Sequence, residues 1–82
     1  MAATADQQQL TEVLLEDIHE TDFPSAVQMD RVERLISTRK ELETYIAILT
    51  QKVEGAAFSP GHLLDRLERL LRVLKRADQE GV

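Results

Sequence analysis

Pro24 and Pro60 are the only two prolines in the chain, and each lies next to a serine. They divide the sequence into three stretches, each with apolar residues three and four apart, the spacing of a helix. At the second break, Phe58-Ser59-Pro60-Gly61, the local signals agree. The Ser59 hydroxyl can accept from an otherwise unpaired amide of the first helical turn. Pro60 then falls at the first helical position, where a missing N–H costs nothing. Phe58 can meet Leu63 across the helix start and fix the angle at which the chain enters. The helix predicted here covers residues 60–78, with Arg72, Lys75 and Arg76 suiting its negative C-terminal pole.

Pro24 disfavours helical geometry at Phe23, and Ser25 to Gln28 has the spacing of a capping box. A long helix is expected over residues 26–54, stopping at Gly55. Val32, Leu35, Leu42, Ile46, Leu49 and Val53, with Arg39 as a polar interruption, repeat every 3.5 residues. Such a seam favours left-handed packing on a neighbouring helix. The first stretch is less sharply marked. Thr4 to Gln7 could cap a helix over residues 7–20, with Leu10, Val13, Leu14 and Ile18 on one face and Leu15 pointing elsewhere. Residues 1–9 are expected to fray.

The connection Gly55-Ala-Ala-Phe-Ser-Pro-Gly61 is short, so the second and third helices should fold back on each other. No stretch alternates as a strand would. The expected architecture is all-α: one domain over residues 1–82, an antiparallel helical hairpin with a short N-terminal helix, becoming a three-helix bundle if that helix covers the hairpin.

The apolar surface of this hairpin is wider than the hairpin itself can use. At about 100° per residue, Leu63, Leu67, Leu70, Leu74 and Ala77 form a narrow band sufficient to pack on the long helix. Leu64 and Leu71 lie on one flank and Val73 on the other, widening the arc to about 180°. On the long helix, Met29 and Ile36 lie to one side of the seam, Tyr45 to the other and Ile48 near the back. Either the N-terminal helix covers the surplus, or part of it is reserved for another chain. The residues expected to face outward to a partner are Tyr45, Ile48, Leu64, Leu71 and Val73. Leu35, Leu42, Leu49, Leu67, Leu70 and Leu74 are expected to hold the hairpin.

Size and charge narrow the function. With 82 residues, one Tyr, two Phe and no Trp, the core must be aliphatic. A chain this short buries about 60–65% of its unfolded surface, and enclosing a substrate cavity would consume most of that core. The absence of cysteine excludes disulfides and thiolate metal sites. The longest apolar run, Tyr45 to Leu49, is too short to span a bilayer, and the N-terminus lacks the basic and apolar regions of a secretory signal. A cytoplasmic protein is expected, with no membrane insertion. The net charge is −5, with seven acids and no Lys or Arg in residues 1–30 and all ten basic residues from Arg31 onward. An acidic chain neutralises phosphates poorly, so nucleic acid is not an expected partner. The acidic front and the basic last helix are expected to face each other within one molecule.

No catalytic constellation is evident. His19 and His62 lie in different segments without metal-ligand spacing, and Ser25 and Ser59 read as caps, not nucleophiles. No cofactor, metal or enzymatic activity is expected. The stretch "MDRVERLISTRKELE" resembles, superficially, the long first helix of small all-helical chorismate mutases. Those sites need an early Arg that the acidic N-terminal third lacks, and Arg39 is more simply ion-paired or solvated. Arg66, Arg69, Arg72, Lys75 and Arg76 are expected to form a solvated face opposite the leucines, or else a strip for an acidic partner. Glu68 and Arg72 have favourable i,i+4 order.

The order of elements resembles the small co-chaperones of the bacterial type III secretion needle subunit, the YscE-type family. The likeness lies in an acidic amphipathic lead, "LTEVLLEDI", a long helix over 26–54, a glycine-containing turn, and the Ser-Pro helix start of "GAAFSPGHLLDRLERLLRVLKRAD". It covers about residues 10–78. It implies a hairpin that pairs with a larger helical-repeat chaperone, the two together holding the needle subunit unpolymerised in the bacterial cytoplasm. In this chain Gly61, His62 and Leu63 follow the helix-starting proline, where the family often has an aromatic. The alternative is a self-associating coiled-coil structural or regulatory protein using the seam on the long helix.

Overall fold

A computed structural model describes residues 5–56 and 61–80, with side chains over 6–56 and 61–76. Four helices follow in order: α1, Ala5–Glu20; α2, Ala26–Leu35; α3, Arg39–Glu54; and α4, Gly61–Glu80. Among the described residues there is no strand. The chain is all-helical, with one helix more than expected.

The extra helix comes from a corner in the stretch predicted to run unbroken over residues 26–54. The last amide of α2, that of Ile36, still donates to Val32 O at 3.0 Å, but Ile36 itself turns to an extended ψ of 124°. Thr38, also extended, then begins α3. Its hydroxyl accepts from Glu41 N at 3.1 Å, while Glu41 Oε1 accepts from the amides of Thr38 at 3.2 Å and Ser37 at 3.0 Å. This capping box stands in the sequence as Thr38-Arg-Lys-Glu41. The heptad spacing across it, with Arg39 read as an interruption, concealed it. An unbroken helix of that length would run about 44 Å at 1.5 Å per residue. The longest dimension of the whole molecule is 39 Å.

Ser25 caps α2 as expected, accepting from Gln28 N at 3.1 Å while Gln28 Oε1 accepts from Ser25 N at 2.9 Å. α3 stops at Gly55, but with φ −86°, so no left-handed turn is involved. α1 runs from Ala5, two residues before the expected start at Gln7. The Thr4 cap, the Ser59-Pro60 start and the Phe58 contact with Leu63 lie outside the described residues.

α3 is the central element. α1 packs against α2 and α3, whereas the backbone of α4 lies close to that of α3 alone and meets α2 only through side chains. Leu63, near the start of α4, shares a groove with Gly55 and Ala56 beyond the end of α3. Leu70 and Leu74 further along share another with Leu42 near the beginning of α3. The two helices therefore run antiparallel. A single core joins Leu15 and Ile18 of α1, Met29 and Val32 of α2, Tyr45, Ile46, Ile48 and Leu49 of α3, and Leu63 and Leu67 of α4.

The buried face of α1 is Thr11, Leu15 and Ile18, with Leu14 at its edge. This corrects the expectation that Leu10 and Val13 face inward and Leu15 does not. Leu10 and Val13 are exposed. Thr11 is fully buried, so its hydroxyl needs partners. It donates to Gln7 O at 2.8 Å and lies 3.4 Å from Leu35 O, a carbonyl left open by the end of α2. A polar residue thus occupies the middle of the inward face, which is why apolar counting chose the wrong stripe.

Polar clamps join the ends of these helices. Lys52 of α3 donates to the His19 carbonyl at 3.1 Å and the Thr21 carbonyl at 2.5 Å, placing a cation at the negative pole of α1. Gln28, already part of the α2 cap, donates through Nε2 to Asp17 of α1 at 3.1 Å.

Candidate functional site

α4 presents three distinct surfaces, and the sequence explains each. Leu63 and Leu67 are buried against α3, with Leu70 and Leu74 half-buried farther along the same band. At about 100° per residue, Leu64 and Leu71 fall together on one flank, while Arg66 and Val73 fall on the other. Leu64, Leu71 and Val73 are 37%, 51% and 54% exposed, so three large aliphatic side chains of one helix remain in reach of solvent. Complete burial of each would add about 1.5–3 kcal/mol to stability, which the fold forgoes.

Tyr45 and Ile48, expected beside them as outward contacts, are in the core instead. Tyr45 has no exposed surface and Ile48 is 8% exposed. The reason is the packing of α1 on α3, together with the corner that brings α2 to Tyr45. α1 packs on both α2 and α3 and so covers the side of α3 that carries Ile48, while Glu33 of α2 reaches the Tyr45 hydroxyl. The structure therefore groups Leu64 with Leu71, leaves Val73 on the opposite flank, and separates all three from Tyr45 and Ile48.

Arg66 was expected on a solvated face and is turned inward. Its Nη1 donates to Asp30 Oδ1 at 3.1 Å and to Glu33 Oε2, both on α2. Glu33 Oε2 also accepts from the Tyr45 hydroxyl at 2.6 Å. The Arg66 side chain is only 12% exposed, so the pair is partly desolvated. Burial alone pulls the guanidinium pKa down; the hydrogen bonds to Glu33 and Asp30 and the charge of Glu33 outweigh that and hold it above its ordinary value. Burial pushes the Tyr45 phenol strongly upward, and Glu33 adds to this through its hydrogen bond and its charge. Arg66 Nε is the one buried side-chain polar atom without a hydrogen-bond partner among the described residues. This pin is the polar link from α4 to α2, and it brings one acid of the acidic front against the basic helix.

The remaining cations of α4 stay outside. Arg72 pairs loosely with Glu68 at 3.9 Å, both well exposed, and Arg69, Lys75 and Arg76 are also exposed. Arg39 is ion-paired with Glu43 at 2.8 Å.

Besides the groove at Gly55 and Ala56, two open grooves flank the central helix. One, about 810 Å³, runs between α1 and α3, with Leu15 and Ile48 at its floor and Glu12, Glu16, Lys40 and Glu41 among its walls. The other lies where the α2–α3 corner meets α4, and Ile36, Leu42, Leu70, Val73 and Leu74 give it an apolar lining. Sequence reasoning identified neither, because both depend on the corner. Its signal was the Thr38 to Glu41 capping spacing.

Among the described residues no group of three His, Asp or Glu side chains is placed to hold a metal ion, and no helix is long and apolar enough to cross a membrane. His19 and His62 are both exposed. No family model matches the chain, and no curated protein or solved structure matches it.

Proposed function

We propose that this chain is a non-catalytic helical binding module that docks a protein partner on the exposed face of α4. The observation that supports this reading is the exposure of Leu64 and Leu71 together on one flank of α4. Contiguous exposed apolar surface usually marks an interaction site. Docking there would bury aliphatic area at little conformational cost, because the helix presenting it is already formed.

The acidic amphipathic lead and the Ser-Pro sequence before the last helix suggest the kind of partner, while the long second helix that the resemblance implies is split in two here. In this proposal it is a larger helical-repeat chaperone, and the pair keeps a type III secretion needle subunit unpolymerised in the bacterial cytoplasm. The mechanism is stoichiometric: each molecule covers apolar surface on its partner and no bond is made or broken. The unbroken seam that a coiled-coil dimer would require is interrupted at the α2–α3 corner.

The test is co-purification from the native cell, with the bound proteins identified. Leu64→Asp combined with Leu71→Asp should abolish capture of a helical chaperone while helicity and unfolding midpoint persist. Retained capture would remove α4 as the docking face, and loss of helicity would mean that these leucines support the fold.

A further inference from the structure

α1 carries two large aliphatic side chains that the fold leaves outside. Leu10 and Val13 are 49% and 57% exposed, while the buried stripe of Thr11, Leu15 and Ile18 is turned into the core. At about 100° per residue, Leu10 and Val13 stand about 60° apart on one face of the helix. Asp17 and Asp6 fall in the interval between them, and Glu20 falls just beyond Val13. Asp17 accepts from Gln28 on the α2 side, and Glu16 lines the groove on the α3 side, so both shoulders of the strip are acidic. α1 has five acids and no Lys or Arg, and among the described residues none of these acids is ion-paired within the molecule. The cations of the adjacent helix, Arg31 and Arg34, lie on either side of Val27, on the face of α2 away from the buried Met29.

We propose that this strip docks a basic amphipathic helix of another protein, one with aliphatic residues three or four apart and Lys or Arg on both sides of them. Sign selects the occupant. An apolar strip whose every charged neighbour on its own helix is negative complements an apolar stripe bordered by cations. The helical form follows from α1 itself. Its central amides and carbonyls are spent within the helix, so an extended peptide finds no backbone partners there. A second helix can instead lie along the face from Asp6 to Glu20, about 21 Å at 1.5 Å per residue. Nucleic acid and anionic membranes are repelled by the same carboxylates. A second copy of this chain offers no matching face among the described helices. The charged neighbours of the exposed α4 leucines are Glu68 and Lys75, one of each sign, and Val27 stands alone between its two arginines. A net charge of −5 also opposes self-association. α1 and α4 have no packing contact, so this face is separate from the one on α4 and does not rest on it.

The probe is a synthetic leucine–lysine helix of about 14 residues, enough to follow the strip, with a scrambled peptide of the same composition beside it. Binding to the full-length protein is measured by titration calorimetry at low and high salt, and the contact is mapped by backbone amide shifts. One-to-one binding with shifts centred on α1 is expected, weakened about tenfold or more at high salt and by scrambling. L10S with V13S removes the apolar strip, and E16K with E20K reverses charges along it. Each should weaken binding about tenfold or more with helicity unchanged. D65K with E68K makes the same change in net charge on α4 and should alter binding by less than about twofold. No binding by the wild type, salt-independent binding, equal binding of the scrambled peptide, shifts centred on α4, or an equal loss in D65K with E68K would each overturn the proposal. So would self-association that L10S with V13S abolishes, or attachment to anionic lipid vesicles through α1. Full binding by E16K with E20K decides against it even if the serine variant fails to fold. None of these outcomes bears on capture by Leu64 and Leu71, which their own aspartate variant reports separately.

Discussion

The hydroxyl of Tyr45 donates to Glu33 across 2.6 Å, and the same carboxylate oxygen receives Arg66 from α4. One carboxylate thus ties α3 and α4 to α2. Tyr45 is the only tyrosine in the chain, and there is no tryptophan to mask it. Its phenol is held well above the ordinary value of about 10 by burial first and by Glu33 second. A raised value means that the folded state keeps a proton which the unfolded chain releases. Stability is therefore complete below pH about 10 and declines as pH rises above it. Absorbance near 295 nm should show no tyrosinate until helicity is lost, both changing in one alkaline transition. A separate ionisation near pH 10 with the helices intact would contradict the burial.

Removing Arg66 should cost far more than removing its exposed neighbour. Arg66→Met keeps the aliphatic stem but leaves Glu33 and Asp30 without their cation, at a cost of about 1–3 kcal/mol. Arg72→Met breaks only an exposed pair at 3.9 Å and should cost no more than about 0.5 kcal/mol. Hydrogen exchange separates the effects by location. With Arg66 replaced, amides of α4 should exchange faster while those of α1 keep their protection, because Arg66 holds α4 to α2 and α1 has no packing contact with α4.

Thr38→Ala tests the corner. It removes the acceptor for Glu41 N and should lower stability by about 1 kcal/mol in urea unfolding. If α2 and α3 were one continuous helix, the same change would be neutral or slightly stabilising, since alanine is the better helix former.

Ile48 and Leu71 were expected to be equivalent, and substitution should separate them. Ile48→Ala should cost about 2–5 kcal/mol, a core deletion, whereas Leu71→Ala should stay within about 0.5 kcal/mol. Similar midpoints for the two variants would mean that the inside and outside of this molecule are wrongly assigned.

The helical class and the chain breaks at residues 21–25 and 55 were legible, because proline, serine and glycine act on the backbone locally. The antiparallel course of α3 and α4 followed from a short connection. What local reading missed was the contest at residues 36–41. A heptad pattern and a capping box overlap there, and the box wins because it satisfies the amides of Ser37, Thr38 and Glu41. Tyr45 and Ile48 were placed outside because neither the corner nor the packing of α1 on α3 is written in a local spacing. The α1 stripe failed separately, through Thr11, a polar residue that earns its buried place with a bond to its own helix. Leu64, Leu71 and Val73 were placed correctly as exposed because α4 has a regular period and no competing signal within it.

The elbow at Ile36 to Thr38 also limits the length of continuous helical surface on this molecule. A straight rod offers a long ribbon on which a companion can slide by a turn and still match. In this chain the elbow breaks that ribbon between α2 and α3, and the longest uninterrupted helical face left to offer is that of α4.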